Sequence, residues 1–560
     1  MRNDDYVAVL RRVLDDAGIV ASEVQERTFP GERWLIAFVP EDSIMVAQSL
    51  AGAIERELNE MPGEDSAFAV TFRPQILSGG EEPVARPAAG GLASRDVDHL
   101  IQLLEARSRT SDALPSLKYV EDPRASLAAV GASRHQLVYG RRGVGKTALL
   151  LEAKRQAEKQ GHVIVWTNAH VLRKLTAESA FSVIAEAAVA SIAKRRGSSA
   201  AEAFSRLDEV SRELGIARRS RLRSEQKVVE KIPRLNQCLR AILRTGVMTM
   251  YIFIDDFYLL PSALQPQLLD YVAGMLRDCN GWIKLASIER LTRPYEPSTR
   301  VGLEVPHDAS KIDLDITLED PSAAQIFLES VLSNYTLTAG IKNFASITKP
   351  EARGRLVLAS GGVPRDYLNL FASSIVVARE RVQPREIGRE DVAKAAGRSA
   401  RSKKRDLEQD VSSENSGILL EALEYISAYV MGEGCTYFRV DMSRKTHPAY
   451  EVLGQLVDLR FAHLVQAALS DKHRPGTKYE AYILDLSEYT DVRLKRGLRV
   501  LDLEEGKWTV RQSGKAATTK RLSGTQLRDL LRQGPLIDLD NLPRVLDQTS
   551  SPAYPIDIRR

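Results

Sequence analysis

Three cysteines in 560 residues, Cys238, Cys279 and Cys435, are too few and too widely spaced for a disulfide framework. They form no CxxC pair and have no histidine at ligand spacing, which argues against a zinc site. No apolar run approaches the 18 residues of a membrane span, and the charged opening MRNDDYVAVLRRVLDD is unlike a signal peptide. A cytoplasmic protein that does not engage membranes is the expectation. Charge of one sign is also scarce: 78 Lys and Arg against 74 Asp and Glu leave a formal +4. With 44% hydrophobic and 27% charged residues, the composition excludes general disorder.

The chain is longer than one core usually supports, so several domains are expected. Charge divides unevenly among them. Residues 1–75 carry fourteen acidic against seven basic side chains, and residues 491–535 carry eleven basic against five acidic. An acidic end suits a protein partner and a basic one can meet a phosphate backbone, although a solvated surface explains the surplus equally well.

Periodicity divides the chain further. Residues 1–75 read as a small α+β domain: helix Tyr6 to Ala17, strand Trp34 to Val39, helix Val46 to Leu58 and strand Ala67 to Phe72. A Gly, Pro and Ala-rich linker covers 76–95. Short apolar strands then alternate with helices over 96–317, predicting a parallel sheet with helices on both faces. Its strands are expected at 135–140, 162–168, 250–255, 282–288 and 312–316. A helical insertion (Ala180 to Ala193, Gln226 to Leu243) separates the second strand from the third and carries basic clusters at 194–196 and 218–223. Residues 318–400 read as mostly helical with one break at Ser360 to Arg365. A polar linker is expected at 401–415, a helix and strand domain at 416–490 and a basic tail region at 491–560.

Chemistry concentrates in Gly140-Arg141-Arg142-Gly143-Val144-Gly145-Lys146-Thr147, which fits GxxxxGK[ST] between a strand and a helix. The glycines let the loop turn tightly with its N–H groups facing a β-phosphate. Lys146 reaches the β- and γ-phosphates, Thr147 offers a hydroxyl to Mg²⁺, and the helix after the loop contributes its N-terminal partial charge. ATP with Mg²⁺ is therefore the expected ligand. The run Tyr251-Ile252-Phe253-Ile254-Asp255-Asp256 supplies the second element. Asp255 ends a buried strand as a Walker B acid for Mg²⁺, and Asp256 stands where an attacking water is polarised. Ser287, at the end of the fourth strand, can contact the γ-phosphate or simply cap the next helix. Arg290, Arg293 and Arg300 are each candidates for an arginine finger offered to a neighbouring subunit.

These motifs, with the turn GGVPRDYLNLF at 361–371 and Ile387 to Val392, resemble the AAA+ and STAND ATPases over about 130–397, and most closely the origin-recognition and replication-initiation branch. The resemblance implies a P-loop core with a helical lid, in which Arg365 is the sensor-2 residue and Pro364 matches a GxP turn. Many such ATPases place Glu where Asp256 stands, so slow hydrolysis to ADP and phosphate is expected. Their frequent winged-helix domain is partly matched at 416–490: helix Ile418 to Met431, strand Tyr437 to Val440, helix Pro448 to Phe461, and strands 463–469 and 478–486 around a basic tip, Ser470 to Thr477. Two features depart from it: there is little room for a second helix, and the presumed recognition helix carries Glu451 and Asp458 instead of base-reading side chains. The expected function is an AAA+ switch associated with double-stranded DNA through its C-terminal region, forming a homo-oligomer or engaging a partner protein through the N-terminal domain. A STAND-like signalling ATPase in bacterial conflict or phage defence is the alternative.

Overall fold

Residues 4–29, 32–40, 43–59, 67–74, 91–107, 119–194, 201–219, 228–246, 248–382, 384–410, 413–472, 474–490, 498–512 and 519–543 are described by a computed structural model. The chain divides into two units, Met1–Ala88 and Ala89–Arg560. Most of the expected 76–95 linker, Arg195, Arg196, residues 220–223 of the second basic cluster, His473 of the basic tip and the end of the tail lie outside the described residues.

In the first unit, α1 (Asp4–Asp16), β1 (Glu23–Phe29), β2 (Glu32–Val39), α2 (Ile44–Asn59) and β3 (Ala67–Pro74) form a three-stranded sheet ordered β1-β2-β3. Alternate residues Leu35, Ala37 and Val39 meet Tyr6, Leu10 and Leu14 of α1 and Ile54 and Leu58 of α2 in one core. Strand β1 was not anticipated. Its sequence EVQERTF is mostly polar, and antiparallel pairing with β2 is what holds it extended.

The second unit opens with α3 (Arg95–Arg107) and the short α4 (Ser126–Val130), followed by β4 (His135–Tyr139), α5 (Lys146–Lys159) and β5 (Val163–Asn168). Helices α6 (Ala177–Ala193), α7 (Ala201–Arg219) and α8 (Ile232–Thr245) make up the insertion, with α7 an addition to the expected pair. Then come β6 (Met250–Asp255), α9 (Gln265–Leu276), β7 (Gly281–Ser287), a small hairpin of β8 (Tyr295–Glu296) and β9 (Val301–Gly302), and β10 (Ala309–Asp313), three residues earlier than expected. The sheet is parallel throughout in the order β10-β4-β7-β6-β5. Its two faces are read directly from alternation along β6. Tyr251 and Phe253 pack against Leu149, Leu150 and Ala153 of α5, whereas Met250, Ile252 and Ile254 pack against α6, α8 and α9.

Four helices come next: α10 (Pro321–Thr338), α11 (Pro350–Ser360), α12 (Pro364–Ala378) and α13 (Arg389–Asp410). The 401–415 linker expectation is corrected, because α13 continues to Asp410 and α14 (Ser413–Gly432) starts three residues later. Beyond it lie β11 (Tyr437–Asp441), α15 (Pro448–Asp458), β12 (Ala462–Ser470) and β13 (Lys478–Leu484), an antiparallel sheet ordered β11-β13-β12. Only a short 3-10 turn, Met442–Arg444, stands where a second helix was in doubt.

The basic tail expectation also needs correction. After α16 (Ser487–Thr490), strands β14 (Arg499–Glu504), β15 (Lys507–Gln512) and β16 (Thr519–Arg521) form an antiparallel sheet, followed by α17 (Gly524–Arg532). Among the described residues Lys507, Lys520, Arg521 and Arg528 lie exposed on a folded layer, whose Val500, Leu501, Leu503 and Trp508 are buried against the four-helix region. Glycine makes that approach possible, since a Cβ on Gly354 of α11 would lie 2.1 Å from the Leu503 carbonyl oxygen. Among the described residues no helix is long and apolar enough to cross a membrane.

Candidate functional site

The loop 140–147 leaves the end of β4, between its neighbours β10 and β7, at the C-terminal edge of the sheet. Gly140, Gly143 and Gly145 all take positive φ (153°, 88° and 104°), which L side chains adopt only under strain. Space is short as well: a Cβ on Gly143 would stand 2.9 Å from Cβ of Arg365 and 3.1 Å from Cγ1 of Val363. Lys146 is buried at the start of α5, and its Nζ donates to the carbonyls of Gly140 (2.6 Å) and Arg141 (2.9 Å). Burial lowers its pKa to about 8, with Arg365 acting in the same direction and Asp315, Asp256 and Asp255 opposing.

Thr147 Oγ1 donates to Oδ2 of Asp255 at 2.9 Å, so the two residues expected to share a cation are already in contact. Asp255 closes a strand in which all six residues are buried. Burial, and after it the adjacent Asp256, raise its pKa to about 6 against the Thr147 hydroxyl, the Asp256 N–H (3.0 Å) and Lys146. Asp256 has φ 52°, a left-handed residue that turns the chain at the strand end. Asn168, aligned with Asp255 at the end of β5, donates from Nδ2 to Asp256 Oδ2 at 3.3 Å. Sequence reasoning missed Asn168. A polar side chain closing the strand VIVWTN was its only signal.

Arg141 faces the helical lid. Its N–H and Nε donate to Asp315 Oδ1 (3.0 and 3.1 Å), and Nη2 reaches the carbonyls of Ile316 and Gly361 (both 3.1 Å). The Arg365 N–H donates to the Gly143 carbonyl at 3.2 Å, and its exposed side chain is near enough to Lys146 to perturb it. Val363 packs in the same cluster as Val144. From the far C-terminal side, Arg460 donates to the Arg142 carbonyl (3.1 Å) and pairs with Asp366 (2.7 Å). Asp315 and Arg460, remote in sequence from every motif, were also missed.

Ser287 is fully buried at the end of β7, and its hydroxyl bonds that of Thr292, whose own hydroxyl donates to the Ile288 carbonyl at 2.6 Å. Of the three arginines, Arg290 is engaged within the chain: it binds Asp458 through Nε (2.9 Å) and Nη2 (2.7 Å), and Glu451 through Nη1. Arg293 pairs with Glu296. Arg300 sits exposed in the β8–β9 turn with φ 57°.

Residues 124–277 match the family model described as "AAA ATPase domain". No curated protein matches the chain. Among solved structures, Cdc6p from Pyrobaculum aerophilum is 15% identical, covering 67% of this chain and 93% of its own with a TM-score of 0.31. The RuvB Holliday junction branch migration motor of Thermotoga maritima is 13% identical (60% and 80% covered, TM-score 0.28). Drosophila ORC bound to DNA is 14% identical (71% and 100% covered, TM-score 0.28). With the glycine loop, Lys146, Thr147 and Asp255 gathered at one edge of a parallel sheet, residues 124–277 form an AAA ATPase domain.

Proposed function

We propose that this chain is an ATP-hydrolysing switch whose nucleotide state is read by the helical lid and the C-terminal domain. One observation carries it: the loop that would cradle the phosphates is bonded on one side to the acidic strand end through Thr147 and Asp255, and on the other to the lid through Arg141 and Arg365. In this reading Gly140 to Thr147 wrap the β-phosphate with backbone N–H groups, and Lys146 turns from the Gly140 and Arg141 carbonyls to the β- and γ-phosphates. Thr147 and Asp255 would hold Mg²⁺, which supplies neutralisation of phosphate charge when bound; a hydroxyl and one carboxylate beside a phosphate cradle fit that ion. Asp256, steadied by Asn168, orients the attacking water and accepts its proton. The water oxygen bonds to the γ-phosphorus as the bond to the bridging oxygen breaks, releasing ADP and phosphate. Ser287 and Arg365 serve as sensors, Ser287 through the Thr292 turn it holds. Lys146→Ala should abolish ATP binding and hydrolysis; wild-type turnover in that variant would overturn the reading.

For its output, association with double-stranded DNA is supported by the β11-β13-β12 sheet with a wing whose Lys472, Arg474 and Lys478 are exposed. A second reading, a STAND-like signalling ATPase acting through protein partners, is favoured by the face of α15 being spent on Arg290. Sizing the protein with ADP, ATP and a slowly hydrolysed analogue, with and without duplex DNA, separates the two. Nucleotide-dependent, strongly salt-sensitive DNA binding supports the first. Assembly indifferent to DNA supports the second, with the acidic N-terminal domain as the partner surface.

A further inference from the structure

The apolar cores of the second unit do not follow the divisions the sequence suggests. One continuous cluster joins α3, the lid helices α10 to α13 and the whole region from Leu419 to Leu542. The nucleotide-binding sheet has two clusters of its own, one on each face. Leu314 belongs to the sheet's cluster and Leu318 to the other, so the chain crosses between them within Asp315 to Thr317; it also crosses between Leu104 of α3, in the larger cluster, and Val130 of α4, in the sheet's. Inside the larger cluster the seams are tight. Gly354 of the lid abuts the Leu503 backbone, and a Cβ on Gly361 would lie 2.1 Å from Nδ1 of the buried His463. Asp502 of β14 pairs with Arg355 (3.1 Å) and Arg389 of the lid.

Between the two bodies the contacts are mainly polar and gather around the nucleotide loop. Arg290 holds Asp458 and Glu451 of α15; Arg460 holds the Arg142 carbonyl; Arg141 holds Asp315 and the Gly361 carbonyl. Among the described buried residues, Val363 is a lid side chain that joins the sheet's apolar cluster. Polar contacts that can be re-solvated separate more cheaply than a shared apolar core.

We propose that the lid and the C-terminal region turn as a single rigid body about Asp315 to Thr317, and that Arg290 and Arg460 are the latch closing this body on the phosphate loop. Lid rotation therefore carries α15 and the wing with it, and it releases Arg290 and the acidic face of α15 together. Only the trigger rests on the nucleotide reading, because the latch can be opened in nucleotide-free protein.

The test uses full-length protein labelled in pairs at cysteines introduced for the exposed Lys159 (ATPase sheet), Lys342 (lid) and Lys520 (C-terminal sheet), the native cysteines being buried. Without nucleotide, Asp458→Arg should shift the 159–342 and 159–520 distances together and leave 342–520 unchanged. Adding Arg290→Asp should return both to wild-type values. A change confined to 159–520, or any shift in 342–520, would show a hinge between lid and C-terminal region and overturn the single body. Wild-type distances in Asp458→Arg would overturn the latch. If the latch behaves as stated but ATP binds to none of these proteins, the nucleotide reading alone fails.

Discussion

Alanine at Gly354 separates two opposing expectations. Gly354 lies inside α11, where replacement by Ala ordinarily favours the helix by about 1 kcal/mol. The added Cβ, however, would stand 2.1 Å from the Leu503 oxygen and 2.6 Å from its carbonyl carbon. Ordinary carbon–oxygen contact begins near ~3.3 Å, so β14 must retreat by roughly 1 Å. Both clashing atoms are backbone, which no rotamer change can relieve. Asp502 retreats with the strand, and its buried carboxylate holds Arg355 and Arg389. Losing a buried, charged partner costs on the order of 3–5 kcal/mol. Less the helix gain, Gly354→Ala should destabilise the region by about 2–4 kcal/mol. Gly52 in α2 is the control: it is also helical, a Cβ there meets nothing within 4 Å, and Ala should stabilise its unit by about 0.5–1 kcal/mol. Urea unfolding followed by amide exchange at 499–504 and at 44–59 reads the two sites separately. If Gly354→Ala matched Gly52→Ala in sign, the close seating of β14 on the lid would be refuted.

The nucleotide site carries three more expected outcomes. The acid limb of kcat/KM should fall about tenfold per pH unit below about 6, because Asp255 must be ionised to hold Mg²⁺, and the basic limb should fall above about 8 as Lys146 loses its proton. For stability the sign of Asp255 is opposite to that of a salt-bridged carboxylate. Its folded value is raised, so its contribution weakens as pH climbs from about 4 through 6, and a rate profile flat from pH 5 to 9 would contradict both assignments. Thr147→Ala removes a hydrogen bond that lowers the Asp255 value, so the acid limb should move to higher pH while activity drops by about 10- to 100-fold; an unmoved limb would mean the Thr147–Asp255 contact does not matter. Arg141→Ala removes the guanidinium from the Gly361 carbonyl and from Asp315, which keeps only the backbone N–H of residue 141 from this partner, and should cost about 1–3 kcal/mol of stability in thermal unfolding, with weakened coupling between ATP and the 159–342 distance.

What the sequence revealed depended on how local the cause was. The phosphate loop, Asp255 and the five strands were legible because each rests on a few consecutive residues: glycines where φ is positive, apolar runs where both faces of a sheet are covered. Strand β1 was not, since its polar residues are held extended by β2. The folded layer at 499–532 looked like a basic tail because Lys507, Lys520, Arg521 and Arg528 face solvent, while the apolar residues that anchor it are spread over two strands and a helix: Val500, Leu501, Leu503, Trp508, Leu527 and Leu531. Arg141 lay inside the recognised motif, yet its role depends on Asp315 and Gly361, which are 174 and 220 positions away. Arg460 carries no local signature at all, and Asn168 only that of a polar side chain at a strand end. Long-range polar partners of this kind arise from the packing of finished elements and leave no period in the chain.

The acidic face of α15 ties these observations together. Glu451 and Asp458 were a defect when that helix was read as a DNA-recognition element, because carboxylates repel phosphate and offer little to most base edges. Set against Arg290 they are complementary, and the pair is substantially desolvated: burial raises the Asp458 pKa despite the opposing guanidinium. A partly buried pair that loses one partner leaves an uncompensated charge, so the contact resists local fraying and opens as a unit with Arg460. Most of α15 is covered in this state, with only Pro448 and Glu451 exposed along it. A DNA contact made through the wing while the latch is closed would rest on Arg474 and Lys478, because Lys472 already pairs with Asp529. Two phosphate contacts give a shallow salt dependence, whereas a steeper one that appears only with ATP would mean the opened body presents a larger basic surface.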